Sequence, residues 1–185
     1  MPKRDLCPRE MGPVLTSPMR KIIHNPVRIT KPYLANGMTA MDIGCAMGFF
    51  TLPMSALVGE TGKVIAVDLQ QGMIDGLKMR AEKAGCNNIT THVCDISSLN
   101  ARQWDGTVDF ALLFFMLHEV PDADRMIKEL RLALKPGGIL LFVEPKPHVG
   151  KEKFLKSRKM IEQCGFVVID EPKIRISLAA AFRKE

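Results

Sequence analysis

Two segments constrain this chain more than anything else in it. They are Met38-Thr39-Ala40-Met41-Asp42-Ile43-Gly44-Cys45-Ala46-Met47-Gly48 and, further on, Val64-Ile65-Ala66-Val67-Asp68. The first reads as a strand running into a glycine-bearing turn and then a helix. The second is a buried strand that ends on an acid. A glycine-rich turn at a strand tip lets a ligand approach the backbone, because glycine has no Cβ to obstruct it. A carboxylate on the neighbouring tip can accept from both hydroxyls of a ribose. The pair therefore describes a nucleoside-bearing ligand laid across the carboxyl edge of a parallel sheet.

The rest of the chain alternates in the way such a sheet requires. Strands are expected at 38–43, 63–68, 89–94, 108–115 and 139–144, with helices at 48–57, 70–84, 122–134 and 151–163. Met73, Ile74, Leu77, Ala81 and Ala84 fall on one helical stripe, as do Met126, Ile127, Leu130, Ala133 and Leu134. Pro136-Gly137-Gly138 reads as the break before the fifth strand. Two last strands, Phe166 to Asp170 and Lys173 to Phe182, are joined by Glu171-Pro172, which predicts an antiparallel hairpin. Alternation alone gives an α/β doubly wound fold. Ahead of it, Ser17-Pro18 and Asn25-Pro26 each pair an N-cap with a proline, predicting short helices to His24 and to Tyr33-Leu34. These belong to an N-terminal arm, 1–36, expected to fold over the site as a lid on a 37–185 core, all in one domain.

The turn itself discriminates between ligands. A dinucleotide turn needs G-x-G-x-x-G, but Ala46 holds the middle position and bulky Phe49 the third. What stands instead, Asp42 to Gly48, is D-x-G-x-A-x-G. It resembles the first motif of class I S-adenosylmethionine-dependent methyltransferases, D/E-x-G-x-G-x-G, with alanine in place of the central glycine. The resemblance continues through Asp68, Cys94-Asp95-Ile96, Phe115-Met116-Leu117-His118-Glu119-Val120-Pro121-Asp122 and Leu134-Lys135-Pro136-Gly137-Gly138-Ile139-Leu140-Leu141-Phe142-Val143-Glu144, spanning 37–145 in the family's order. It implies a Rossmann-like, seven-stranded sheet in the order 3-2-1-4-5-7-6, mostly parallel with the antiparallel hairpin at its C-terminal end.

The resemblance also assigns roles. S-adenosyl-L-methionine would be the cofactor, with Gly44, Ala46 and Gly48 bringing backbone to its amino-acid end and Asp42 orienting the turn. Asp68 would take the ribose hydroxyls and Asp95 the adenine amine, between Leu69 and Ile96. On the acceptor side, over the ends of the fourth and fifth strands, stand His118, Glu144 and His148. His118 is the candidate general base, since imidazole titrates near neutrality. A hydrogen-bonded loop histidine is the equal alternative.

Composition limits the partners. With 46% hydrophobic and 25% charged residues among 185, the chain is an ordinary globular one. No secretory pattern opens it, and its longest apolar run, Phe110 to Leu117, is far too short to span a membrane, so a cytoplasmic location is expected. The five cysteines form no C-x-x-C or other metal spacing, so no metal is expected. The net charge of +6 sits mostly near the C-terminus with little aromatic interleaving, which argues for solvated faces over a nucleic-acid surface. With no separate substrate domain and no D/N-P-P-Y/F motif after the fourth strand, the expected acceptor is a small molecule. Two other readings stand beside this one: a metalloid methyltransferase like the arsenite enzymes, and an RNA- or partner-binding module on the same fold. The oligomeric state is left open.

Overall fold

The computed structural model describes residues 22–96 and 98–185. Seven strands form one sheet: β1 Thr39–Ile43, β2 Lys63–Asp68, β3 Ile89–Val93, β4 Val108–Phe114, β5 Leu134–Pro145, β6 Phe166–Asp170 and β7 Ser177–Lys184. Their order is β3-β2-β1-β4-β5-β7-β6, as expected. The first five pair in parallel, and β7 runs antiparallel to both β5 and β6. Five helices accompany them among the described residues: α1 Pro26–Thr30, α2 Thr51–Val58, α3 Gln71–Lys83, α4 Ala123–Ala133 and α5 Lys151–Gln163.

Burial on both faces explains the continuous apolar runs of the central strands. In β4, Phe110, Leu112 and Phe114 pack on one face with Phe50, Met54 and Val58, the last two from α2. Ala111 and Leu113 face the other side, with Ile127 and Leu130 of α4 and Phe154 of α5. All five β4 residues are buried, as the two-residue strand period requires on a sheet covered by helices.

Three elements of the alternating core differ from the sequence expectation by more than one residue. Helix α2 starts at Thr51 rather than 48, because Gly48 is still turning at φ +84°. Strand β5 begins at Leu134 rather than 139: Pro136-Gly137-Gly138 lies within the strand, and the irregularity shows instead as a register shift against Val108/Phe110. Strand β7 runs Ser177–Lys184 rather than Lys173–Phe182. Its start is delayed because Ile176 turns at φ +56° and residues 171–175 follow the arm, where the Arg175 carbonyl lies 2.9 Å from His24 Nε2.

The expected helix from Ser17 to His24 lies mostly outside the described residues. The second helix is α1, capped by the Asn25 side chain, followed by a 3-10 turn at Lys31–Tyr33. Tyr33 stacks on Phe110, and Ile29, Tyr33 and Leu34 join the apolar cluster around α2. Residues 26–34 therefore pack on the flank of the sheet. His24 reaches the carboxyl edge, its ring edge-on to Phe114 and Phe115 at 5.3 and 5.2 Å.

Candidate cofactor and acceptor site

The register of β1 against β2 sets Ile43 beside Val67, so the turn after β1 opens level with Asp68. The N–H groups of Gly44 and Cys45 both donate to the Val67 carbonyl, at 2.8 and 3.0 Å. Gly44, Ala46 and Gly48 all have positive φ, at +73°, +46° and +84°. Alanine in that region costs about 1–2 kcal/mol relative to ordinary backbone, so tertiary contacts must hold it there. The Asp68 carboxylate does so: Oδ2 accepts from Ala46 N at 2.9 Å while Oδ1 accepts from Gln70 N at 2.9 Å. Burial raises the Asp68 pKa, and the main-chain donors pull it back.

Two contacts at this turn leave little trace in the sequence. Arg80 of α3 donates to the Met47 carbonyl. A Cβ on Gly76 would stand 2.9 Å from the Met47 side chain, so glycine lets α3 close on the turn. Asp42 is buried and accepts from Thr51 Oγ1 at 2.6 Å, tying the end of β1 to the start of α2.

A cavity of about 270 Å³ opens over this turn. Of the expected cofactor residues, Gly44, Ala46, Asp68, Leu69, Asp95 and Ile96 line it, whereas Asp42 and Gly48 do not. Phe115, Met116, Glu119 and Val120 form the side next to β4. Phe115 has φ +61°, a genuine outlier for so bulky a residue, and such strain gathers at functional sites. No Lys, Arg or His lines the cavity among the described residues, whereas three carboxylates do.

His118, Glu144 and His148 come together beside this cavity without lining it. Glu144, 1% exposed, accepts the His118 main-chain N–H at 3.1 Å and faces its Nδ1 at 2.7 Å. The His148 ring lies 4.9 Å from that of His118. The Glu144 hydrogen bond raises the His118 pKa, against burial. The other ring nitrogen, Nε2, stands 3.8 Å from the carboxylate of Glu119. Glu119 is thus the member of this cluster that reaches the cavity, and burial raises its pKa.

The site fits S-adenosylmethionine in its donor set. Asp68 faces the cavity with lone pairs to spare for a diol, Leu69 and Ile96 provide apolar walls for a flat ring, and the acidic lining suits a cationic ligand. Among the described residues no group of three or more His, Cys, Asp or Glu side chains is arranged so that it could hold a metal ion. Nor is any described helix long and apolar enough to cross a membrane.

Comparison with known proteins shows the family and the fold. A family model described as "Methyltransferase domain" matches residues 34–179. The chain belongs to this methyltransferase family, and its fold is that of the class I enzymes that use S-adenosylmethionine. The demethylmenaquinone methyltransferase of Staphylococcus aureus is 32% identical over 108 residues, covering 58% of this chain and 43% of that protein. The ubiquinone/menaquinone biosynthesis C-methyltransferase UbiE of Escherichia coli is 36% identical over 111 residues, covering 58% and 43%. The match thus spans less than half the length of these curated relatives. The crystal structure of a SAM-dependent methyltransferase from Aquifex aeolicus superposes with a TM-score of 0.88 at 24% identity, covering 97% of this chain and all of that one.

Proposed function

We propose that this protein transfers the methyl group of S-adenosylmethionine to a small-molecule acceptor, and that the acceptor is a flat, apolar ring of the hydroxylated quinone type. The observation that carries the first part is the double use of Asp68, which faces the cavity while holding the glycine-bearing turn through Ala46. The second part is supported by the apolar wall of Phe114, Phe115, Met116 and Val120, and by relatives whose names specify quinone methylation.

When bound, S-adenosylmethionine supplies a methyl group on a sulfonium, already a good leaving group. The protein's own work is then orientation and proton removal. Gly44 and Ala46 place backbone against the cofactor's amino-acid end, Asp68 holds the ribose, and Asp95 accepts from the adenine amine. Glu144 fixes the His118 ring through Nδ1, leaving Nε2 directed toward Glu119. His118, with His148 packed on it, accepts the proton lost by a hydroxylated acceptor, through Glu119 at the cavity wall. Residues 26–34 stay on the flank of the sheet, and the described part of the arm reaches the carboxyl edge only through His24, whose ring stands edge-on to Phe115 and backs that wall of the cavity.

Titration calorimetry tests the reading. S-adenosylhomocysteine should bind at micromolar concentration and NAD should not; tighter binding of NAD would overturn it. Incubation with S-adenosylmethionine and reduced naphthoquinones, followed by mass spectrometry, tests the acceptor class.

A further inference from the structure

Asp95 and Ile96 line the cavity from a loop that β3 alone does not shape, and one carboxylate on the far side of that loop holds it. Glu129, in the middle of α4, accepts the Leu99 N–H at 2.7 Å through Oε2. Ser98 Oγ lies 2.9 Å from both of its carboxylate oxygens. Arg125, one helical turn earlier, donates from Nε to Oε1 at 3.0 Å and steadies the carboxylate.

From Ser98 the network runs back to the cavity. Asp95 and Ser98 exchange main-chain hydrogen bonds at 3.0 and 3.3 Å. The Asn100 N–H donates to Ser98 Oγ at 3.1 Å, and Asn100, turned to φ +50°, donates from Nδ2 to Asp95 Oδ2 at 2.7 Å. That bond occupies one oxygen of the Asp95 carboxylate and fixes the direction of the other. The far end is pinned as well, because His92 Nε2 lies 2.9 Å from the Leu99 carbonyl.

We propose that Glu129 is a positioning residue for nucleobase selection, setting the Asp95 loop so that the Asp95 carboxylate accepts from the 6-amino group of adenine. This rests on the cofactor reading above. An ionised carboxylate accepting several donors from one loop is a strong clamp, since charge-assisted hydrogen bonds are about twice as strong as neutral ones. A carboxylate that accepts from an amine rejects the ring bearing a carbonyl there, because two acceptors would face each other.

The test is a ratio of affinities measured by calorimetry. The ligands are S-adenosylhomocysteine and S-inosylhomocysteine, which differ in the amino group against a carbonyl. The natural protein should favour the adenosyl compound about tenfold or more, the scale of one hydrogen bond to a charged group. Glu129→Ala should bring the ratio close to one, and Glu129→Gln should keep part of it, since its amide oxygen can still accept from Leu99. A simple loss of stability would weaken both ligands alike and leave the ratio unchanged. Ser98→Ala, which removes one hydroxyl from the relay, should lower the ratio in a protein that melts near the natural temperature. If Glu129→Ala folds and retains the full preference, or if Ser98→Ala does so where Glu129→Ala does not fold, the proposal is overturned. A natural protein without preference would remove Asp95 from the adenine contact. One that binds neither ligand would instead overturn the proposed function itself.

Discussion

Asp68 Oδ2 accepts the main-chain N–H of Ala46 at 2.9 Å, so the carboxylate at the tip of β2 also holds the turn at the tip of β1. Removing it must therefore affect the ligand and the ligand's cradle together. Asp68→Ala should weaken S-adenosylhomocysteine binding by about 1–3 kcal/mol, the usual cost of stranding buried hydrogen-bond partners. Calorimetry gives the affinity, and hydrogen exchange at Ala46 should speed up in the same variant. An unchanged affinity would place the ribose contact elsewhere.

Ala46 holds φ +46° where related turns carry glycine. Ala46→Gly removes the Cβ strain while adding freedom to the unfolded chain, two effects of similar size. The expected result is a change in stability within about 1 kcal/mol and full cofactor binding. Ala46→Val, β-branched in the same conformation, should lower the melting temperature and the affinity together.

Ile176 is a clearer case, because it is 48% exposed and stands at φ +56°. Asparagine tolerates that region far better. Ile176→Asn should stabilise the fold by about 1 kcal/mol, read from denaturant unfolding, with cofactor affinity unchanged.

Gly48 combines φ +84° with a tight neighbour, since an added Cβ would collide with Leu77 Cδ1 of α3. Gly48→Ala should cost about 1–3 kcal/mol, as backbone strain and overpacking both act. Leu77→Ala in the same chain should relieve only the packing part, so the double variant should remain less stable than Leu77→Ala alone.

His118 gives the protein a predictable response to pH. Its hydrogen bond to Glu144 raises its pKa above the usual 6.5, against burial, with Glu119 adding to the rise and Lys153 opposing it. A raised histidine pKa means that the folded state holds the proton more tightly than the unfolded chain. This stabilisation is complete below the unfolded value and is lost as pH rises through the folded one. Melting temperature should therefore fall as pH increases above 6.5, and His118→Gln should flatten that part of the profile. A slope identical in both proteins would detach His118 from the effect.

Much of the architecture was legible because its causes are local. Val64-Ile65-Ala66-Val67 and Phe110 to Phe114 read as strands because both faces of a parallel sheet are buried. Asp42 to Gly48 read as a ligand turn because the required backbone angles favour glycine. The alanine at 46 could not be placed in advance, since the carboxylate that holds its φ positive lies in another strand. Pro136-Gly137-Gly138 reads as a break but lies within β5 for a related reason. Proline and glycine punctuate a chain by propensity, whereas pairing with β4 carries β5 through them.

The sequence by itself determined the alternation of strands and helices and the ligand turn, since periodicity and residue-specific backbone preference act over a few positions, while the strand order was implied only by the resemblance of its motifs to a known family. Only the tertiary structure decided which side chains meet. Glu144 reaches His118 across 26 positions, Glu129 reaches Ser98 across 31, and Arg80 reaches Met47 across 33. Each of these contacts joins residues on different elements, whose approach is fixed by how helices settle on the sheet. Burial then makes the pairings obligatory, because a polar group removed from water must find its partner within the fold.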